Sequence, residues 1–441
     1  MYIYMKRLLN WGLIFNHFLV LVLVTLSVFF LINSFSLQIS DSYHFYTILG
    51  LVVLLSLVYL SLVEFWFIKS GSHVLFRGEQ LFLVLTLGFI VTYLSLNKEV
   101  VWVIFVLEIL TYLVLGSSSI FNRRDYIKSV EASLSYILPS FFSFCVIMLG
   151  IFLHQSDWPV PYEQLIVLGL LVKMGAFPFA IWPLQVFQGA SYETMVVVAI
   201  INKVATILIV TEYVVGNFHL LTYSGVLSVL FGGILLVNVK EFSKILAIST
   251  IISSGWLLVY LGGISYVFSS LVNEDYSYLT GVLTHSKYGV LGIYFLFFTI
   301  HFVLLTWCVK TTSEESLPFS QNSKVNQLAL WGGLVGVVGM SGIPPLASFY
   351  FKYLLVYQYS IEEGNLLALI MLMSSLIGTY AFLRVAMLVS MRLNYDQKSK
   401  ETLQWNPENR LSVRGSGYYI IFFITSFISF STLGLLLVLG N

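Results

Sequence analysis

Long apolar stretches recur along this chain and decide what it can fold into. A helix needs about 20 apolar residues to cross roughly 30 Å of hydrocarbon. Many of the stretches are continuous apolar runs rather than alternating ones, which favours helices over the strands of a barrel. The sequence therefore predicts an all-α, polytopic membrane protein of about thirteen transmembrane helices. The stretches cover approximately residues 11–34, 45–68, 79–97, 100–120, 131–154, 164–187, 192–214, 219–238, 244–268, 286–310, 326–357, 364–391 and 416–440.

The composition excludes most other classes of protein. Of the 441 residues, 58% are hydrophobic and only 10% are charged, whereas about 25% are charged in an ordinary soluble domain. A soluble globule of this length could not bury so much apolar surface. The net charge of +1 creates no field that would attract nucleic acid. Two cysteines, Cys145 and Cys308, are too few for a disulfide framework, a tetrathiolate zinc site or an iron–sulfur cluster.

The distribution of Lys and Arg among the connections predicts the orientation of the helices. When the connections are assigned alternately to two sides, the N-terminal side receives sixteen basic residues and the other side two, Lys98 and Lys287. Connections rich in Lys and Arg stay on the side of synthesis. We therefore expect the N-terminus and the basic 392–415 connection in the matrix or cytoplasm, and the C-terminus on the far side. The sixteen are Lys6, Arg7, Lys69, Arg77, Arg123, Arg124, Lys128, Lys240, Lys244, Lys310, Lys324, Arg392, Lys398, Lys400, Arg410 and Arg414.

Several ionisable residues fall inside the apolar segments, where a charged side chain costs roughly 2.5–3.5 kcal/mol on insertion scales. Glu108, Lys173 and Lys203 lie near the middle of their segments, which favours a functional relay over a purely structural ion pair. Burial of a lysine disfavours its charged form, and a nearby carboxylate favours it. Movement of the carboxylate can therefore make the lysine release a proton. Three further residues lie nearer helix ends, where snorkelling to the interface is an equally good explanation: Glu64, Glu212 and Arg384.

Two segments contain helix breakers beside an intramembrane lysine. Lys173 precedes Gly175 and Pro178, and Lys352 follows the run Gly342-Ile-Pro-Pro345. Proline removes a backbone donor, and carbonyls freed inside a membrane must face protein or water, so a broken helix usually lines a cavity. Paired broken helices in two halves are typical of inverted-repeat transporters. Two ordinary proline kinks are the simpler alternative, but the lysines beside both breaks favour the inverted repeat.

The pairing of the two breaks predicts four parts of the chain. These are N-terminal helices in 1–78, a first five-helix repeat in 79–214, a second in 219–393, and a loop with a C-terminal helix in 394–441. His301 lies between the lysine-bearing segments and is a candidate relay residue, although a membrane histidine can equally be a packing residue. His285 is a weaker candidate. No phosphate-binding loop, nucleophile triad or metal-ligand cluster appears in the sequence, so covalent or hydride chemistry is not expected in this chain.

One stretch resembles a specific motif of a known family. Residues 169–190, GLLVKMGAFPFAIWPLQVFQGA, resemble the proton-pumping membrane subunits of respiratory complex I, which are related to cation/proton antiporters. Glu108, Lys203 in Asn-Lys-Val-Ala and the run Lys244–Ser249 stand where this family has its glutamate, its second lysine and a helix start. The resemblance covers roughly residues 79–393. The subunit 2 branch, called N in bacteria, is the most similar one on the segments Val130–Tyr136, Ser341–Leu346 and Leu383–Val385 and on Lys352.

The resemblance implies a proton-translocating membrane-arm subunit of NADH:ubiquinone oxidoreductase. The relay at the bilayer midplane would consist of Glu108, Lys173, Lys203, His301 and Lys352. The chain would be an enzyme subunit without a redox site, because NADH, FMN, iron–sulfur clusters and ubiquinone would bind to other subunits. No metal site is expected in it.

The resemblance also implies partners and a compartment. The partners would be the antiporter-like subunit 4, the small membrane subunits and lipids such as cardiolipin. The compartment would be the mitochondrial inner membrane, with a bacterial plasma membrane or a thylakoid as alternatives. Two other functions stay open: a stand-alone or multi-subunit cation/proton antiporter, and a structural spacer that does not pump. A sodium site would favour the first, and four costly buried charges argue against the second.

The chain departs from the family pattern at three positions. Gln185 stands where an acidic residue is frequent, and Ser135 where a lysine is frequent. The histidine usual after the family's Ala-Tyr-Ser-Ser run is replaced near Ser254. These departures concern the surface of the broken helix and one intermediate relay site. The bacterial members have fourteen helices, so the thirteen expected here fit the loss of the first.

Overall fold

A computed structural model describes most of the chain between Tyr126 and Leu403. It covers residues 126–155, 162–190, 192–213, 218–239, 241–272, 297–306, 327–343, 347–362 and 365–403, and the single residues 105, 108, 112, 294, 295 and 308. The chain divides into two compact units, Met1–Leu110 and Thr111–Asn441. Of the first unit, only Phe105 and Glu108 are described, and both are helical.

The described part of the second unit is built from α-helices, which confirms the all-α fold class. The exact count of thirteen spans stays a prediction, as does the four-part division of the chain. The predicted spans 11–34, 45–68, 79–97 and 416–440 lie outside the described residues. In chain order the helices are α1 (Tyr126–Gln155), α2 (Tyr162–Met174), α3 (Ile181–Gly189), α4 (Tyr192–Tyr213), α5 (Phe218–Asn238), α6 (Phe242–Val272), α7 (Phe297–Thr306), α8 (Gln327–Ser341), α9 (Ala347–Glu362) and α10 (Asn365–Leu403).

Several of these helices have the length and composition of membrane spans. Within the described residues, four are long and apolar enough to cross a bilayer, over Ile127–Gln155, His219–Asn238, Phe242–Gly263 and Leu366–Ser390. Two shorter apolar helices, Phe297–Thr306 and Leu330–Ser341, accompany them. The chain is therefore a helical membrane protein, as the hydropathy pattern predicts.

The chain leaves the helical conformation at both predicted breaks. Helix α2 ends at Met174 and Gly175 adopts a φ of +60°, while α8 ends at Ser341 and Gly342 adopts a φ of +78°. Glycine populates this left-handed region easily because it has no Cβ, whereas other residues rarely enter it. The same local device ends the first half of each broken helix, and the prediction of two discontinuous helices is confirmed.

Helix α10 is longer than the hydropathy pattern predicts. The apolar run ends at Ser390, but the helix continues to Leu403, so the residues assigned to a connection from Arg392 onward begin as helix. Hydropathy marks the end of the segment that suits hydrocarbon, not the end of the helix. Polar residues continue a helix into water as long as their backbone hydrogen bonds are kept.

Helix α6 lies at the centre of the described helices. It packs against α3, α4, α5 and α9, and all of its residues 245–263 are buried inside the protein. Gly225 of α5 and Gly255 of α6 approach so closely that a Cβ on either would lie 2.7 Å from the carbonyl oxygen of the other. Small residues permit this close helix packing in membranes. Polar side chains within residues 245–263 of α6 therefore face protein rather than lipid.

Candidate functional site

All five residues that the sequence predicts as a relay are buried. The exposed fraction is 2% for Glu108 and Lys173, 3% for Lys203, 4% for His301 and 8% for Lys352. Snorkelling to an interface would leave the charged end of a side chain exposed, so it does not explain these residues. An ionisable group that stays inside the membrane at such a cost points to function.

Lys203 extends from α4 towards α6 and α7. Its Nζ donates a 2.6 Å hydrogen bond to Oγ of Ser253 and lies 3.4 Å from the ring centroid of Phe298. A lysine ammonium over an aromatic face is attracted by the ring quadrupole. The buried amino group is therefore held by one hydroxyl and one aromatic ring, neither of which carries a charge.

Lys352 on α9 reaches back to the end of the other half of its broken helix. Its Nζ donates a 2.9 Å hydrogen bond to the backbone oxygen of Ser341, the last residue of α8. The Ser348 hydroxyl donates a second bond, of 2.6 Å, to the oxygen of Gly339. These bonds satisfy carbonyls that have no partner within the helix. A cation at this end also interacts favourably with the helix dipole.

His301 on α7 has a defined orientation and tautomer. Its Nδ1 lies 2.7 Å from the backbone oxygen of Phe297. A carbonyl oxygen can only accept, so Nδ1 carries the hydrogen in the neutral ring and Nε2 is left as the proton acceptor. The Nε2 edge of the ring lies against Gly339 of α8, where a Cβ would collide with it. The absence of a side chain at Gly339 therefore makes room for the imidazole.

A small cavity is lined by His301, Lys352 and Ser253, the hydrogen-bond partner of Lys203. Its volume is about 30 Å³, and its polar lining consists of Ser249, Ser253, Trp256, Tyr294, His301, Ser348 and Lys352. About 10–15 Å³ is enough for one water molecule, so the cavity has room for roughly two. The indole N–H of Trp256 is buried and has no hydrogen-bond partner. The structure thus brings His301 and Lys352 together with Ser253, the hydrogen-bond partner of Lys203.

Lys173 lies at the other broken helix, in the last turn of α2, and is not among the residues that line the cavity. Val172, next to it, accepts a 2.8 Å bond from the indole Nε1 of Trp182 on α3. The amide of Phe177 within the break donates a 2.8 Å bond to Oγ of Ser228 on α5. The irregular backbone is therefore satisfied by protein groups, as a break inside a membrane requires.

A pair of buried residues connects this break with the helix of Lys203. The Tyr136 hydroxyl on α1 donates a 2.9 Å hydrogen bond to Oδ1 of Asn202, the neighbour of Lys203 in sequence. The Tyr136 ring also packs edge-to-face on Trp182 at a centroid distance of 5.3 Å. Trp182 bonds to the end of α2, so α1, α3 and α4 are fixed relative to each other beside Lys173 and Lys203.

Glu108 and the weaker candidates either do not line the cavity or lie outside the described residues. Glu108 is helical and buried, but it belongs to the first unit of the chain. Its control of the charge on Lys173 stays a prediction. His285, Glu64 and the side chain of Glu212 lie outside the described residues, and Arg384 is half-buried on α10.

The three family departures also have places in the structure. Gln185 is exposed on α3, and the Ser135 hydroxyl bonds to its own helix at the oxygen of Ala132. The Ser254 hydroxyl bonds to the oxygen of Ile251.

Sequence reasoning missed several residues around the cavity, among them Ser253, Trp256, Ser348 and Ser341 through its backbone. The sequence indicates Ser253 only indirectly, because the usual family histidine is replaced near its neighbour Ser254. It does not indicate the others, since a serine or tryptophan in an apolar helix is unremarkable until its neighbours are known. No group of three His, Cys, Asp or Glu side chains in the described part of the chain is placed to hold a metal ion.

Comparisons with known proteins identify the family. Residues 152–378, more than half of the chain, match the family described as NADH:quinone oxidoreductase/Mrp antiporter, TM. The chain is 23% identical over 319 residues to NADH-ubiquinone oxidoreductase chain 2 of Sylvisorex johnstoni, which covers 70% of this chain and 83% of that one. It is 23% identical over 404 residues to NADH-quinone oxidoreductase subunit N of Rickettsia bellii, which covers 82% and 84%.

A solved structure shows the same fold. A chain of the Mrp complex from Dietzia sp. DQ12-45-1b superposes with a TM-score of 0.58 at 14% identity, over 77% of this chain and 65% of that one. The family match contains Lys173, Lys203, His301 and Lys352, and with them every residue that lines the cavity except Phe382. The resemblance inferred from the motifs is thereby confirmed. The chain belongs to the NADH:quinone oxidoreductase/Mrp antiporter transmembrane family.

Proposed function

We propose that this chain translocates protons as the subunit 2, or N-type, component of the membrane arm of an NADH:quinone oxidoreductase. One observation carries the proposal. A cavity in the protein interior is lined by His301, Lys352 and the serine that holds Lys203. The names of the similar proteins, chain 2 and subunit N, support the same assignment.

The arrangement suits proton transfer rather than binding of a large substrate. A cavity of about 30 Å³ is far below the roughly 300–1,000 Å³ of a small-molecule site. Each amino group can hold a proton or release it, and the imidazole Nε2 can accept one. Protons pass from Lys173 to Lys203, across the cavity by way of His301, and on to Lys352, with Glu108 setting the charge of Lys173.

The redox chemistry belongs to other subunits in this proposal. NADH, FMN, the iron–sulfur clusters and ubiquinone bind to other subunits. Two cysteines are too few to ligate an iron–sulfur cluster. The Lys, His and Glu side chains of the relay carry protons and do not transfer electrons. The chain contributes to the enzyme by coupling proton movement to electron transfer at a distance. It is one subunit of a multi-subunit complex. The names of its relatives, NADH-ubiquinone oxidoreductase chain 2 and NADH-quinone oxidoreductase subunit N, support this assignment.

The partners and location follow from the same assignment. The neighbours are the antiporter-like subunit 4, the small membrane subunits and lipids such as cardiolipin. The membrane is the mitochondrial inner membrane with the N-terminus in the matrix, supported by the animal relatives and by the sixteen-to-two distribution of basic residues. The Rickettsia relative keeps a bacterial plasma membrane as the alternative.

Proton uptake by vesicles that contain the assembled complex tests the function. Lys203→Ala and Lys352→Ala should each lower the number of protons moved per NADH oxidised while the complex still assembles. Lys244→Ala is the control, because Lys244 is partly exposed and forms a surface ion pair with Glu241. Such pairs contribute about 0–1 kcal/mol. Unchanged pumping in both buried-lysine variants would contradict the relay.

Antiporter activity is the second candidate, favoured by the structural similarity to a chain of an Mrp complex, which shows the fold alone. Migration on native gels separates the two functions. A subunit of the oxidoreductase should migrate with a large assembly that contains flavin and iron–sulfur proteins. A homogeneous isolated protein that exchanges sodium for protons in vesicles would support the antiporter instead.

A further inference from the structure

Ser253 stands between Lys203 and the cavity. Its hydroxyl oxygen accepts the 2.6 Å hydrogen bond from Lys203 Nζ, and the same residue lines the cavity. Lys203 itself is not among the lining residues. With an exposed fraction of 6%, Ser253 is closed off from solvent and lipid. A proton that leaves Lys203 for the cavity therefore meets this hydroxyl first.

We infer that Ser253 is a relay residue, which passes the proton between Lys203 and water in the cavity. This inference rests on the proposed proton-translocating function and adds a residue that does not itself ionise. The water is the co-reactant, and two features of the cavity suit it. The volume of about 30 Å³ holds roughly two molecules. The buried N–H of Trp256 also has no protein partner, and buried polar groups are normally hydrogen-bonded.

The hydrogen bonds of Ser253 allow the transfer. A hydroxyl has one hydrogen to donate and two lone pairs to accept with. The hydrogen is now donated to the backbone oxygen of Thr250 at 2.9 Å, and one lone pair accepts from Lys203. Rotation about the Cβ–Oγ bond turns the hydrogen from Thr250 towards a water in the cavity, which prepares the exchange.

The transfer itself balances without a charged serine. An N–H bond of the Lys203 ammonium breaks and a new O–H bond forms on Ser253. The original O–H bond of Ser253 breaks, and its proton joins the water oxygen. Lys203 is left as a neutral amine, Ser253 is neutral before and after, and the hydronium passes its proton to Nε2 of His301 or onward to Lys352.

A neighbouring serine supplies a matched control. Ser254 is also buried, and its hydroxyl donates to the backbone oxygen three residues earlier, that of Ile251, at 2.8 Å. Ser254→Ala and Ser253→Ala therefore remove the same group and the same kind of bond to the helix backbone. Ser254 does not line the cavity. Only Ser253→Ala removes the acceptor of Lys203.

The experiment measures protons moved per NADH oxidised in vesicles of the assembled complex. We expect Ser253→Ala to lose as much pumping as Lys203→Ala, Ser254→Ala to pump normally, and Ser253→Thr, which keeps the hydroxyl, to recover most of the pumping. A structural role alone would not be rescued by the hydroxyl. Equal losses in Ser253→Ala and Ser253→Thr would assign the effect to packing and overturn the inference.

The outcomes also separate this inference from the function on which it rests. Normal pumping in Ser253→Ala together with a loss in Lys203→Ala would overturn the role of Ser253 and leave the proposed function in place. Normal pumping in Lys203→Ala, Lys352→Ala and Ser253→Ala alike would overturn both.

Discussion

Lys352 donates a 2.9 Å hydrogen bond from its Nζ to the backbone oxygen of Ser341, across the break in its own discontinuous helix. The amino group thereby satisfies a carbonyl at the end of α8 that has no partner within the helix, and Lys352 also lines the cavity. A charged lysine strengthens this bond and is favoured by the helix dipole. The protonation of Lys352 and the geometry of the break are therefore coupled, which gives a physical reason for a broken helix beside a buried lysine.

The space at Gly339 is expected to be essential for His301. A Cβ at this position would collide with the imidazole ring, so Gly339→Ala should displace the ring and cost about 1–3 kcal/mol of stability. We expect a lower thermal midpoint of the assembled complex and a loss of proton pumping. Gly378→Ala is the control, because a Cβ there meets no atom within 4 Å. Normal pumping in Gly339→Ala would show that the ring position is unimportant.

His301→Asn tests the tautomer assigned to the imidazole. The asparagine amide can still donate to the oxygen of Phe297, as Nδ1 does at 2.7 Å, but it offers nothing in place of Nε2. We expect assembly to be kept and proton pumping to fall. His154→Asn, at an exposed histidine of α1, should leave pumping unchanged. If His301→Asn pumps like the control, His301 is a packing residue.

The hydrogen bond from Tyr136 to Asn202 should stabilise the helix of Lys203. Tyr136→Phe keeps the ring contact with Trp182 but removes the donor. Hydrogen bonds between membrane helices average about 0.6 kcal/mol and reach about 1.7, so we expect a loss of about 1 kcal/mol. The thermal midpoint of the complex measures it, with Tyr380→Phe, at an exposed tyrosine of α10, as the control. Equal midpoints for the two variants would show that this bond contributes no stability.

Glu108→Gln tests whether this carboxylate sets the charge of Lys173. The change keeps the size of a side chain that is only 2% exposed and removes its charge. Without a carboxylate to favour its charged form, the lysine holds its proton less firmly, so we expect a loss of pumping with assembly intact. Glu131→Gln, at an exposed carboxylate of α1, should be neutral. Pumping equal to that of the control would remove Glu108 from the relay.

The orientation of the chain can be checked by cysteine labelling. In a protein with both native cysteines, Cys145 and Cys308, replaced by alanine, Ser412→Cys in the basic connection should react only from the matrix side. Glu363→Cys should react only from the opposite side, because connections rich in Lys and Arg stay where the chain is made. Labelling of the 392–415 connection from the outer side would show that the predicted helix count is wrong.

The sequence by itself determined the class of protein, the breaks and the buried lysines. Each of these follows from a local rule. Hydrocarbon requires helices of about 20 residues, and a glycine with proline shortly beyond it disfavours the continuation of a helix. A lysine inside an apolar run is costly in any fold. For the same reason, Lys173, Lys203 and Lys352 could be selected before any contact was known.

Only the tertiary structure decided how these residues meet. Lys203 and Ser253 lie 50 residues apart in sequence, and their contact exists because α4 packs on α6. The tautomer of His301 depends on the backbone oxygen of Phe297, which lies 2.7 Å from Nδ1. The position of the ring in the cavity depends on the absence of a side chain at Gly339 of α8. Hydropathy is a property of one segment, whereas a cavity is a property of the space between several. Only helix packing places Ser253 against Lys203 and the cavity. Nothing in the sequence of its own segment distinguishes it from Ser254.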